Sequence, residues 1–156
     1  MTPNIGISEK HLSNSIQLLS KVLADEVTLY TKTRKFHWNV SGESFMELHK
    51  LFEAQYTELE VAIDEVAERI NKLGGKTIGT MKEFLALTRI KESSNYPSQK
   101  EMLKELLADH EMITIALRKD ITTCVEENQD AGTGDFITGL MQQHESIAWI
   151  LRRYLN

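Results

Sequence analysis

Apolar residues recur every three or four positions along two long stretches in the first half of the chain. Residues 8–38 carry leucine, isoleucine, valine and tyrosine at these steps, and residues 43–71 repeat the alternation with phenylalanine, leucine, tyrosine, isoleucine and valine. Such spacing places the apolar side chains on one face of an α-helix. It predicts two long amphipathic helices that pack lengthwise against near-parallel or antiparallel neighbours.

Two further helices are predicted in the second half of the chain. The first begins at Ser98, because Ser98 and Glu101 form the Ser-x-x-Glu pattern of a capping box, and it continues to about Glu127. The last follows the Gly-Thr-Gly sequence at 132–134 and runs to Tyr154. Apolar residues recur at helical spacing in both stretches.

The lengths of the connections predict how these helices are arranged. Only a few residues join the first helix to the second and the third to the fourth, so each pair forms an antiparallel hairpin. The link from Lys72 to Pro97 is far longer, and it contains Thr80-x-x-Glu83, the cap of a short extra helix. We therefore expect an all-α fold: a single ferritin-like four-helix bundle over residues 1–156, with a long crossover that carries a short extra helix.

Composition and charge narrow the functional classes. The chain has 156 residues and a net charge of −5, which favours metal cations over nucleic acid as a partner. Its single cysteine, Cys124, excludes a disulfide within the chain, and the N-terminus has no unbroken apolar run. We therefore expect a cytoplasmic protein with neither a secretory signal nor a membrane span.

Two histidines flank a short turn-like stretch at residues 39–42. His37 and His49 are nearly equidistant from this stretch and centre on residue 43. Residues equidistant from the turn of an antiparallel hairpin lie side by side, so the two imidazoles can lie at one level. Glu53 follows His49 by one helical turn and shares its face. The pattern predicts a cluster of metal-binding groups at one end of the hairpin.

Asp64 and Glu68 form a second pair at i, i+4 on the broad face of His49 and Glu53. Asp64 nevertheless lies roughly 22 Å from His49 along an ideal helix, too far for one ion to bind both. Two copies of the helix remove this difficulty if they cross antiparallel about a two-fold axis near Glu58 and Leu59. The spacing therefore predicts a symmetric dimer with two identical sites at its interface.

Imidazole and carboxylate ligands without thiolate suit iron, manganese, zinc or copper. Other interpretations remain open at this point: ordinary partly buried histidines, and acids on a solvated helix face. No lysine or arginine lies four residues after Asp64, so a salt bridge within the helix does not explain that residue. Trp38 either shields the site and intercepts oxidising equivalents, or packs in the core. The chain has no Glu-x-x-His pair of the kind found in di-iron bundles, and His110 and His144 are interpreted as structural.

Several motifs together resemble one known family. Residues 36–42 read FHWNVSG, and F-x-x-L-H, D-x-x-x-E-R-I and a closing H-E-x-x-x-W-x-L-R follow. This combination resembles the mini-ferritins, also called DNA-binding proteins from starved cells (Dps), over nearly the whole chain. The resemblance implies a hollow dodecamer with an iron-oxidising site at each dimer interface. His37 and His49 would come from one subunit, and Asp64 and Glu68 from its two-fold mate.

The resemblance also implies a function and a metal. Iron is the expected metal: Fe(II) would be oxidised, typically by hydrogen peroxide, and stored as ferric mineral, which protects against oxidative damage. His37, His49, Asp64 and Glu68 would carry the ferroxidase reaction, with Glu53 as a further metal ligand where family members usually have aspartate. Asp130 and Asp135 are candidates for the acidic channels through which iron enters in this family.

Two other functions compete with the ferroxidase hypothesis. One is a nucleoid-associated protein that coats and compacts DNA, which many family members do through a basic N-terminal tail. The first ten residues here offer only Lys10 as a basic group, so strong DNA binding is not expected. The other is a plain helical scaffold without metal chemistry.

Overall fold

The computed structural model describes residues 2–156, which form five α-helices and, over that range, no strand. The helices are α1 (Glu9–Asn39), α2 (Phe45–Lys72), α3 (Met81–Leu87), α4 (Gln99–Thr122) and α5 (Ala131–Leu155). None of the described helices is long and apolar enough to cross a lipid bilayer. The all-α prediction is confirmed.

Two antiparallel hairpins make the four-helix bundle. α1 packs along α2, α4 packs along α5, and the short α3 of the crossover lies against α1. The apolar stripes predicted from the sequence form one continuous core, whose fully buried members include Leu19, Phe36, Phe52, Leu106 and Ile137. The ferritin-like arrangement with a short helix in its crossover is therefore confirmed.

Helix caps explain most of the boundaries. Thr80 and Glu83 form a complete capping box that begins α3, as the sequence predicted. At Ser98 only half of the predicted box forms. The Ser98 hydroxyl accepts a hydrogen bond from the Glu101 backbone, but the Glu101 carboxylate pairs with Lys104 instead. The Ser98 bond still satisfies one of the free amides at the start of α4.

The boundary between α4 and α5 differs from the sequence prediction. The end of α4 widens into a π-helical turn at Thr123–Glu127. α5 then begins at Ala131 rather than after residue 134, because Asp130 is its N-cap and accepts a hydrogen bond from the Thr133 amide at 3.0 Å. An aspartate N-cap stabilises the first turn enough to include two glycines, whose low helix propensity suggested a loop.

A buried ion-pair network fastens the crossover to the bundle. Asp25 of α1 is fully buried and accepts hydrogen bonds from the Arg89 amide at 2.5 Å and the Arg89 Nε at 2.7 Å. Arg89 also donates to Asp120 of α4 at 2.8 Å. Burial raises the pKa of Asp25 above its ordinary value, and the Arg89 charge and hydrogen bonds oppose that rise. One guanidinium therefore bridges two carboxylates from different hairpins.

Replacing Arg89 tests this anchor. The variant Arg89→Met leaves two carboxylates without their cation, one of them fully buried, and we expect a loss of about 3–5 kcal/mol in the free energy of unfolding. Guanidinium unfolding followed by circular dichroism measures the change. Arg153→Met, at an exposed position of α5, is the matched control and should cost less than about 1 kcal/mol. Equal losses in the two variants would contradict the anchoring role.

Candidate metal centre

The two histidines predicted to lie side by side do so. His37 is in the last turn of α1 and His49 is near the start of α2. Their rings stack with centroids 3.8 Å apart and planes inclined by 23°. His37 is buried and His49 is half-buried. The hairpin thus brings two imidazoles to one point at its closed end, as their spacing indicated.

Each of these imidazoles is fixed by the backbone of the other. His37 Nδ1 lies 2.8 Å from the His49 carbonyl oxygen, and His49 Nδ1 lies 2.9 Å from the His37 carbonyl oxygen. A carbonyl oxygen can only accept, so both Nδ1 atoms carry the proton and donate. In a neutral ring Nε2 then keeps its lone pair, and this lone pair is what binds a metal ion. The hydrogen bonds therefore hold both rings in the tautomer whose Nε2 atom is available to bind a metal ion.

A cluster of aromatic and cationic side chains borders the pair. The edge of Tyr56 faces His37, with ring centroids 5.2 Å apart. Arg34 lies over the Tyr56 ring at 4.5 Å and donates to the Tyr30 hydroxyl at 2.7 Å. Both tyrosines belong to the apolar stripes predicted from the sequence. Their positions could also have predicted this contact, because Tyr30 and Tyr56 are equidistant from residue 43, like the two histidines.

Trp38 is on the surface and not in the core. Its side chain is 65% exposed, and Arg34 lies 5.3 Å from its ring. The core-packing interpretation of Trp38 is therefore wrong for the single subunit. The helix carries the side chain after His37 to a different face, so adjacency in sequence does not place it over the imidazole pair.

The three acidic candidates lie on the side of α2 that faces away from the core. Glu53, Asp64 and Glu68 are all exposed. Glu68 pairs with Lys72 at 3.0 Å, so a salt bridge within the helix does form at one member of the Asp64–Glu68 pair. Lys72 lies four residues after Glu68, whereas the sequence prediction rested only on the position four residues after Asp64. An exposed pair of this kind contributes little stability, so Glu68 remains available to a cation or a partner.

One subunit does not hold a complete site. α2 is unbroken from Phe45 to Lys72, so Asp64 stays roughly 22 Å from His49 along the helix. Over residues 2–156 no three His, Cys, Asp or Glu side chains converge on a point that could hold a metal ion. The structure brings His37 and His49 together and leaves Asp64 and Glu68 at the other end of α2.

The face of α2 between the two groups is open. An exposed groove runs along it, lined by Thr57, Glu60, Val61, Ile63, Asp64, Glu65 and Ala67. Val61, an apolar residue, is 57% exposed there. Leu59, named as a marker of the two-fold crossing, is buried and faces the core, so it cannot itself lie at a crossing. Glu58, the other residue named for the crossing, is exposed at that level, together with Thr57, Glu60 and Val61.

The two channel candidates have different surroundings. Asp130 is 1% exposed and N-caps α5. Its carboxylate also accepts from the Thr133 hydroxyl at 2.6 Å and from Arg69 Nη2 at 3.4 Å. These contacts give Asp130 a structural role, which corrects its proposal as a channel residue. Asp135 is exposed, and its role in a channel stays a prediction.

Comparison with known proteins places the chain in a family. The ferritin-like domain model matches residues 16–156. An uncharacterized low temperature-induced protein of Nostoc sp. is 44% identical over 98% of this chain and 86% of its own length. DNA protection during starvation protein 2 of Bacillus anthracis is 39% identical over 90% of this chain and 96% of its own length.

A solved structure agrees with these matches. The crystal structure of a Dps protein from Vibrio cholerae O1, described as a member of a broad superfamily of ferritin-like diiron-carboxylate proteins, has a TM-score of 0.92 at 28% identity. The match covers 99% of this chain and 97% of that one. The chain belongs to the Dps, or mini-ferritin, family of ferritin-like proteins.

The reciprocal hydrogen bonds predict the tautomer of both imidazoles. In metal-free protein at neutral pH, we expect His37 and His49 to carry their proton on Nδ1, because each Nδ1 faces a carbonyl oxygen. Solid-state ¹⁵N NMR of histidine-labelled protein distinguishes the two tautomers, and single His→Gln variants assign the signals. Protonated Nε2 atoms at these two positions would contradict the preset geometry.

Proposed function

We propose that this protein is a ferroxidase and an iron store. Two subunits complete each site: His37 and His49 come from one subunit, and Asp64 and Glu68 come from the partner subunit. Glu53, one turn after His49 on the exposed face of α2, supplies a further carboxylate. The observation that carries the proposal is the pair of imidazoles whose Nδ1 atoms are held by backbone carbonyls, which leaves both Nε2 atoms available, while no carboxylate among residues 2–156 of the same subunit converges on them.

The dimer follows from the rigidity and exposure of α2. Two α2 helices that cross antiparallel about a dyad bring the histidine end of each to the acidic end of the other. The groove around Val61 then becomes buried at the crossing, which removes an exposed apolar side chain from water. The groups that form half-sites in one subunit form two whole sites in the pair.

The ligand set suits the oxidation of Fe(II). Imidazole and carboxylate bind Fe(II), and the negative carboxylates stabilise the Fe(III) that forms. Two Fe(II) ions each give up one electron, and hydrogen peroxide takes both as its O–O bond breaks to yield two hydroxide ions. The reaction consumes both reagents that generate hydroxyl radicals. The resemblance to the Dps family is why we favour peroxide as the oxidant.

The family resemblance extends the proposal to storage. Twelve subunits would enclose a hollow shell in which ferric ion hydrolyses and accumulates as mineral. The negative charge of the chain, −5 at neutral pH, raises the local concentration of cations around such a shell. The protective effect on DNA then follows from removal of iron and peroxide.

Complementation between damaged subunits tests whether the site is shared. His49→Asn keeps an amide near the Nδ1 position but removes Nε2, and Asp64→Asn removes a carboxylate charge. We expect each variant alone to lose Fe(II) oxidation by at least about tenfold, since each lesion falls in every site. When the two variants are dissociated and reassembled together in equal amounts, about one quarter of the sites regain all ligands. Stopped-flow absorbance of ferric products measures the recovered rate.

Two matched controls sharpen this test. Subunits with His37→Asn mixed with subunits with His49→Asn should stay inactive, because both lesions fall on the same half of the site. His11→Asn, near the N-terminus of α1 and outside the site, should keep the parental rate. A protein that lacks both His37 and His49 yet oxidises Fe(II) at the parental rate would refute the site. No recovery in the mixed assembly would refute its sharing between subunits.

DNA coating is the second candidate, because the Bacillus anthracis relative is named for DNA protection. We expect no retardation of duplex DNA in a gel-shift assay at about 0.15 M salt, since a net charge of −5 opposes the phosphate backbone. Tight binding under these conditions would reverse the preference between the two functions.

A further inference from the structure

The interior of the bundle holds three ionisable side chains in a row, away from the candidate metal centre. Glu26 of α1, His144 of α5 and His110 of α4 are at most 1% exposed. Glu26 Oε1 lies 2.8 Å from His144 Nε2, and His144 Nδ1 lies 2.8 Å from His110 Nδ1. We call these three residues the core latch, because they connect α1, α5 and α4 through two hydrogen bonds.

Only one proton fits between the two imidazoles. At 2.8 Å one Nδ1 must donate and the other must accept with its lone pair. If both nitrogens carried a proton, two N–H groups would point at each other and the contact would break. The carboxylate of Glu26 accepts the His144 Nε2 proton at the other end of the row, so His144 is held from both sides.

The contact between the two imidazoles tolerates one added proton and no more. An imidazolium at His144 donates to Glu26 with Nε2 and to His110 with Nδ1, and an imidazolium at His110 donates with Nδ1 to neutral His144, so both hydrogen bonds survive in either state. A second added proton removes the lone pair that accepts the bond between the two Nδ1 atoms. His110 Nε2 has no hydrogen-bond partner among residues 2–156, so no hydrogen bond there compensates for an added charge. The doubly protonated pair is therefore the acid-sensitive state.

The acids that adjoin the row members in sequence are paired with cations: Asp25 with Arg89, Asp109 with Lys32, and Glu145 with Arg118. Glu26, within the row, keeps Oε2 without a hydrogen-bond partner among residues 2–156. α2 contributes Gln55, an uncharged and buried amide whose polar atoms have no partner in the described part of the chain. Burial thus favours the neutral form of His110.

We propose that the core latch is an acid-sensitive switch that holds α4 to α5 while the two Nδ1 atoms share one proton and releases them when both imidazoles are protonated. Burial, and then the neighbouring His144, hold the pKa of His110 well below its ordinary value. An imidazole whose pKa is lowered by folding contributes stability that is complete above the unfolded pKa of about 6.5 and is lost as pH falls towards the folded value. The release therefore operates in mildly acidic solution.

Hydrogen–deuterium exchange of the intact assembly tests the latch. Protection of the α4 segment around His110 and the α5 segment around His144 is measured by mass spectrometry from about pH 7.5 to about pH 5, corrected for intrinsic exchange rates. If opening binds one additional proton, protection should fall about tenfold per pH unit below about pH 6.5. Protection that stays constant over this range would overturn the proposal.

The variant His110→Asn separates the latch from general acid sensitivity. Its amide stands near the Nδ1 position and can donate to neutral His144 or accept from protonated His144, so one bond remains in either state. In His110→Asn, we expect the protection of these two segments to fall with each pH unit by about tenfold less than it does in the parental protein. The control His11→Asn removes a histidine outside the core and should leave the parental profile unchanged. An identical profile in His110→Asn would also overturn the proposal.

A second measurement uses the parental protein alone, in case the variant does not assemble. Crystal structures at about pH 7.5 and about pH 5 give the distance between the two Nδ1 atoms directly. In acid crystals in which neutron diffraction shows both Nδ1 atoms to be protonated, we expect this distance to exceed about 3.2 Å, outside hydrogen-bonding range. A distance that stays at 2.8 Å with both Nδ1 atoms protonated would overturn the single-proton constraint.

Discussion

The exchange of two hydrogen bonds between His37 and His49 is the interaction on which the candidate site depends. His37 lies in the last turn of α1, where backbone carbonyls lack donors from their own helix, and the His49 imidazole supplies one to it. The His37 imidazole returns the same bond to α2. One pair of contacts therefore sets the register of the hairpin and the tautomer and direction of both rings. The hairpin cannot shift by a residue without losing both potential ligands.

The length and stiffness of α2 then determine that the site is shared. A continuous helix cannot fold its far end back towards its start, so the acids at Asp64 and Glu68 remain distant from the imidazoles of their own subunit. They lie on the side of α2 opposite the core, where packing within the bundle makes no use of them. The proposed ferroxidase site would therefore be complete only in an assembly, and a free subunit would offer ferrous iron only part of the ligand set. On that proposal, oxidation would be confined to places where the product can be stored.

Sequence patterns predicted the architecture because each rests on local rules. The apolar stripes, the Thr80 cap and the placement of His37 and His49 depend on helical periodicity and connection length alone. The start of α5 was missed because the Asp130 N-cap outweighs the poor helix propensity of two glycines. The surface position of Trp38 and the Glu26–His144–His110 row were missed for another reason. They depend on the rotation of helices relative to one another, which no interval in a single sequence encodes.

The two histidine pairs of this bundle show opposite uses of the same side chain. His37 and His49 each donate to a carbonyl, an acceptor that never competes for the proton, so both Nε2 atoms are free to bind a metal ion or a proton while the hairpin contacts remain. His110 and His144 face each other through like atoms, so the state of one constrains the state of the other. The first pair therefore keeps its geometry whatever binds Nε2, whereas at the second pair a second proton acts on the packing itself. Because the candidate metal centre has the rigid arrangement and the core has the constrained one, substitution of a single residue in either pair separates the two behaviours.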